Sequence, residues 1–146
     1  MKRKLSLVVL VLIFAIFLSG CGGIVLPATD EAKIKSVINE YCLALNNQDW
    51  SKAKSCCVYG SDAYNSVCDL EELINDALLS CDMITINLVI DIQNVSINDN
   101  YATVSTYASL LMTGCGDYYT SEGECDSRLQ KVGNSWKIYE YFEFFE

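Results

Sequence analysis

Met83-Ile84-Thr85-Ile86-Asn87-Leu88-Val89-Ile90-Asp91-Ile92 decides the fold of this chain. Ile84, Ile86, Leu88, Ile90 and Ile92 recur at a period of two, which predicts a long strand with one apolar face. Near Gln93 the apolar phase passes to Val95 and Ile97, and a β-bulge explains the switch, because one extra residue re-aims the side chains and bends the sheet. Asn98-Asp99-Asn100 is turn chemistry, and Ala102, Val104, Ala108, Leu110 and Met112 alternate along a second strand. Residues 114–124 are polar, contain Gly and read as a loop. A third strand is expected over residues 125–132, a turn at Gly133-Asn134 and a last strand over 136–144. The sum is an antiparallel meander of four strands or more.

Upstream of Met83 the period is helical. Ile34, Val37, Ile38, Tyr41, Cys42 and Leu45 form one stripe of an amphipathic helix that Thr29 or Asp30 can cap. Asn46-Asn47-Gln48 interrupts it, and Asp49 is placed to cap a second, short helix with Trp50, Ala53 and Cys57 on one face. After a turn-rich stretch at 59–66, Asp69 and Glu72 make a capping-box-like pair in front of Leu70, Leu73, Ile74, Ala77 and Leu78, a third helix. Helices followed by a curved antiparallel meander make an α+β domain.

Two parts of this pattern carry a resemblance. Ile34 to Leu45 followed by Asn46-Asn47-Gln48-Asp49-Trp50, and the closing Arg128-Leu129-Gln130-Lys131-Val132-Gly133-Asn134-Ser135-Trp136-Lys137-Ile138, resemble the nuclear transport factor two-like, or cystatin-like, superfamily. The resemblance implies a cone, with N-terminal helices packed on a curved antiparallel sheet around a pocket. Different members use that pocket for isomerisation, dehydration, cyclisation or binding, so the fold does not select a function.

The N-terminus says where the chain is expected to act. Lys2, Arg3 and Lys4 precede an apolar run of 14 residues from Leu5 to Leu18, too short for a span of about 20 and flanked like a secretory signal. Leu18-Ser19-Gly20-Cys21 resembles the lipobox of prokaryotic lipoproteins, which implies a diacylglyceryl group on the Cys21 thiol, cleavage in front of that residue and palmitate among the anchoring acyl chains. The expected organisation is a lipoprotein signal peptide at 1–20, a lipidated tether at 21–28 and a single domain at 29–146. The expected location is the extracytoplasmic face of the cell membrane, held there by the lipid on Cys21. Of the ten basic residues three leave with the leader, and none of the 19 acidic ones does, so the mature chain carries about −12. Acidity of that size excludes nucleic acid and anionic lipid as electrostatic partners.

Eight cysteines include Cys21, leaving seven in the domain and none in a Cys-x-x-Cys pair; histidine is absent. In an exported domain such density predicts disulfides rather than a metal site. The best-placed pair is Cys115 with Cys125, across the loop between two antiparallel strands. Cys68 and Cys81 are not expected to bond each other, because the third helix would separate them by about 18 Å. Cys56 or Cys57 is the favoured partner of Cys68.

No phosphate-cradling Gly loop, Ser/His/Asp set or metal cluster is present, and no cofactor is implied. In the last strand Trp136, Ile138, Glu140 and Phe142 share a face by the two-residue period, so an inward Trp136 predicts an inward Glu140. Tyr41, Trp50, Trp136 and Glu140 are the candidate ligand-binding set. Tyr118 and Tyr119, in the expected loop, are the candidate partner-binding pair. Together these features read as a module binding a small ligand or an envelope protein. An isomerase or lyase using Glu140 as general base is the alternative, and a purely structural envelope component the third reading.

Overall fold

The computed structural model describes residues 28–140. The expected signal peptide, the lipidation site Cys21, nearly all of the tether and Phe142 lie outside the described residues. Among the described residues three helices, α1 (Asp30–Asn46), α2 (Trp50–Cys56) and α3 (Asp62–Leu78), precede four strands. These are β1 (Ile84–Asn98), β2 (Tyr101–Gly114), β3 (Asp117–Val132) and β4 (Ser135–Glu140), which form one antiparallel sheet in chain order. The helices pack on the curved sheet, as the α+β reading requires.

Each helix starts where a side chain accepts from an otherwise unpaired backbone N–H. The Ala32 amide donates to Thr29, the Lys52 amide to Asp49 and the Tyr64 amide to Ser61. The α1 stripe buries Ile34, Ile38, Tyr41, Cys42 and Leu45. α3 begins seven residues before the Asp69–Glu72 pair that was expected to start it. Ser61 is the cap, and Ala63 and Val67 extend the buried face into a stretch whose Ser, Asp and Asn residues are turn formers in isolation. Burial overrides their local preference.

Asn46 and Gln48, which break the α1 pattern, dock the helices to the sheet edge. The Asn46 amide donates to the Leu88 carbonyl at 2.9 Å and accepts from the Leu88 N–H at 2.6 Å; Gln48 donates to the Ile84 carbonyl at 2.7 Å. Asn46 thus stands in for a strand neighbour along the edge of β1, satisfying backbone groups that would otherwise face the helix layer. At the other edge the Val58 N–H donates to the Ile138 carbonyl at 2.8 Å.

The bulge in β1 is where the phase switch requires it, at Gln93 between Ile92 and Asn94. β3, by contrast, starts at Asp117 and not near Cys125. Cys115 and Gly116, at φ 55° and 86°, make a two-residue turn closed by the Gly114–Asp117 pair. Residues 117–124 therefore form strand, not loop. Side chains along this part of the hairpin are mostly exposed, so nothing requires the apolar alternation by which a strand is recognised.

That correction moves the disulfide. Cys125 lies opposite Thr106, eight residues down the strand from the turn, about 26 Å from it. It is a free thiol, as are Cys42, Cys56, Cys57 and Cys68, so neither the Cys115–Cys125 bridge nor one from Cys68 to Cys56 or Cys57 forms. Cys115 instead bonds Cys81, with Cα atoms 5.0 Å apart, tying the end of the α3–β1 connection to the β2–β3 turn. Gly114 fits this corner because a Cβ there would lie 2.8 Å from Ile84 Cγ1 and 3.1 Å from the Met83 carbonyl oxygen.

Candidate functional site

The four residues expected to line one cavity separate into core and surface. Trp136 and Tyr41 are the two largest fully buried side chains, set among Ile34, Ile38, Leu129 and Ile138. Trp50 is half-buried against the same cluster. These aromatics hold the helices to the sheet. Lys131 Nζ lies 5.6 Å from the Trp136 ring centroid and 2.7 Å from Asp30 Oδ2, joining the start of α1 to the last hairpin. Among the described residues the buried Trp136 Nε1 has no partner at hydrogen-bond geometry. Lys131 first, and then the Trp136 N–H facing it, hold the Asp30 carboxyl below its ordinary range.

Glu140 is not on the Trp136 face. The β3–β4 register slips by one residue, so Leu129 pairs with Ile138 but Arg128 pairs with Glu140, leaving Tyr139 as the extra residue. Leu129 and Ser127 are buried and Arg128 between them is exposed, so Arg128 and its cross-strand neighbour Glu140 lie on the outer face. Glu140 Oε2 accepts from Arg128 Nη1 at 2.7 Å, with 43% and 55% of the two side chains open to solvent. The pair also borders a cleft of about 380 Å³ that reaches Asp62 and Ser66 of α3 and Glu124 and Asp126 of β3.

Tyr118 and Tyr119 are strand residues near the β2–β3 turn, opposite Thr113 and Met112. Tyr118 is 77% exposed, and both remain accessible to a partner. Buried thiols occupy the interior. Burial, and then the neighbouring Cys125 and Cys56, push the Cys42 thiol up to about 12, and burial does the same to Cys57. Such thiols are neither nucleophiles nor ready metal ligands at neutral pH. No group of three or more His, Cys, Asp or Glu side chains among the described residues is arranged to hold a metal ion.

Two polar features were not singled out from the sequence. On the inner face Thr106 donates to the Cys125 carbonyl at 3.3 Å, and the buried Ser127 Oγ has no partner among the described residues. On the outer face a cleft of about 330 Å³ is lined by Ser96, Asn98, Tyr101, Thr103, Arg128 and Tyr139. Alternation places Tyr101 and Thr103 of β2 and Tyr139 of β4 there.

A three-helix layer on a four-stranded meander, with the chain entering at α1 and leaving along β4, decides the comparison with solved structures. The fold is nuclear transport factor two-like. A ketosteroid isomerase-like protein from Erwinia carotovora atroseptica superposes with a TM-score of 0.58 at 14% identity, over 77% of this chain and 93% of that one. A nuclear transport factor two-like protein of unknown function from Shewanella oneidensis MR-1 gives 0.57 at 13% identity, over 76% and 95%. A putative dehydratase of the nuclear transport factor two-like family from Streptomyces avermitilis gives 0.56 at 15%, over 77% and 94%. No family model and no curated protein matches the sequence. At these identities the likeness is one of nuclear transport factor two-like fold, not of chemistry.

Proposed function

We propose that this chain is a lipid-anchored protein of the cell envelope whose nuclear transport factor two-like domain binds a ligand or partner rather than catalysing a reaction. The observation that carries the reading is the position of Glu140. A general base needs to reach a substrate proton in a site that tunes its affinity for that proton. Glu140 instead lies on the outer face, open to solvent and committed to Arg128. This arrangement weighs against the isomerase or lyase reading, although solved neighbours include an isomerase-like protein and a putative dehydratase. The lipobox motif at 18–21 supports the anchored location. No helix among the described residues is long and apolar enough to cross a membrane.

The test has two arms. Wild type and Glu140→Gln are expected to show equal, background turnover of small ketones, enoyl compounds and lactones; turnover by wild type that Glu140→Gln abolishes establishes the enzyme instead. The second arm is Cys21→Ser. It is expected to move the protein from the detergent phase to the aqueous phase, and an unlipidated Cys21 in the intact mass of the wild type overturns the anchored reading.

A further inference from the structure

We propose that the outer face of the sheet carries a saccharide-binding cleft built on Tyr101 and Tyr139. It rests on the reading of the chain as a binding module and gives that module a site and a ligand class.

The cleft follows from strand register. Ser96, Thr103, Arg128 and Glu140 form one cross-strand row, and Asn98 and Tyr101 begin the next. Side chains in such rows share a face and stand about 5 Å apart, close enough to touch one ligand together. Tyr139, outward by alternation from the buried Trp136 and Ile138, joins them, and its ring meets that of Tyr101 edge to face, with centroids 6.1 Å apart and planes at 79°. In this arrangement one ring braces the other and leaves a ring face open; Tyr101 is 51% exposed. Braced tyrosines lose little side-chain freedom on binding, which favours them as contact platforms.

The chemistry around the rings narrows the ligand. Ser96, Asn98 and Thr103 make no side-chain hydrogen bond among the described residues, so two hydroxyls and an amide offer donors and acceptors to the cleft. The one cation in the lining, Arg128, is neutralised by Glu140 at 2.7 Å. An anion would meet no unpaired positive charge, on a chain of net charge −9. A cation would have to approach Arg128. What fits is a neutral molecule with an apolar C–H face to lie on a tyrosine ring, whose face carries partial negative charge, and a rim of hydroxyls to exchange hydrogen bonds with Ser96, Asn98 and Thr103. A neutral pyranose has both. A cleft of about 330 Å³, open on one side, suits an oligosaccharide with one or two units seated and the rest in solvent.

Saturation-transfer difference NMR on the full chain in detergent micelles, with neutral cello-, chito- and malto-oligosaccharides as probes, tests this assignment. At least one series is expected to receive saturation on its ring C–H protons. Tyr101→Ala is expected to weaken that binding about tenfold or more, while Tyr101→Trp, which keeps a stacking face, retains it. Leu79→Ala, at an exposed side chain just past the end of α3, should bind as wild type does. Absence of transfer to every series, or undiminished binding by a Tyr101→Ala protein whose thermal unfolding matches wild type, overturns the cleft and leaves the binding-module reading standing on other surfaces. Chemical conversion of any probe overturns that underlying reading instead.

Discussion

Asp30 is the residue whose environment most directly predicts a measurement. Lys131 and then the Trp136 N–H favour its ionised form, so its carboxyl is held below the ordinary 3.8. A depressed folded-state value means the native state binds fewer protons, so the contribution is complete above about pH 4 and is lost as pH falls through the folded value. Asp30→Asn is therefore expected to flatten the acid limb of the stability–pH curve, with wild type and variant converging at low pH. Urea midpoints measured between pH 2 and 7 check this, and a constant offset across that range contradicts it. Charge type at Asp30 and Lys131 was legible in the sequence; their partnership was not, because 101 positions separate them. Glu140 teaches the complementary lesson. Its type marked it as a candidate base, and a one-residue register slip against β3 sent it to the opposite face.

The β2–β3 hairpin shows what sequence patterning reaches at the level of an element. β1 was legible in full, including its bulge, because burial on one face imposes alternation on Ile84, Ile86, Leu88, Ile90 and Ile92. The first half of β3 was not, because the polar run around Glu122-Gly123-Glu124 has no buried face to imprint a period. Reading that half as a loop brought Cys125 to Cys115, whereas the hairpin carries Cys125 away and presents Cys115 to Cys81. The Cys81–Cys115 bridge spans 34 positions, and constraining the unfolded chain over that distance contributes about 3–4 kcal/mol in the loop-entropy account. Cys115→Ser is expected to lower the unfolding free energy by about that amount, and Cys81→Ser by the same, with the double variant no worse than either single one. Non-reducing peptide mapping that recovers Cys81 and Cys115 as free thiols contradicts the bridge.

Across the whole molecule the remaining thiols report global opening. Cys42 and Cys57 are buried in the single cluster shared by helices and sheet, and desolvation is the main reason their thiols are held up to about 12. Alkylation of these two at neutral pH is expected to proceed only through unfolding and to accelerate in step with denaturant. Rapid modification in the native state contradicts a common core. The sequence by itself determined the α+β class, the order of elements, the stripe of α1, the bulge at Gln93 and the absence of histidine chemistry, since each depends on residue type or on spacing within one element. Tertiary structure alone decided the start of α3, the cysteine pairing, the core role of Tyr41 and Trp136, and the outward turn of Glu140 beside Tyr139. These depend on which surfaces meet and on the register of one strand against another. A shift of a single residue in that register exchanges the faces of a sheet without changing a letter of the sequence.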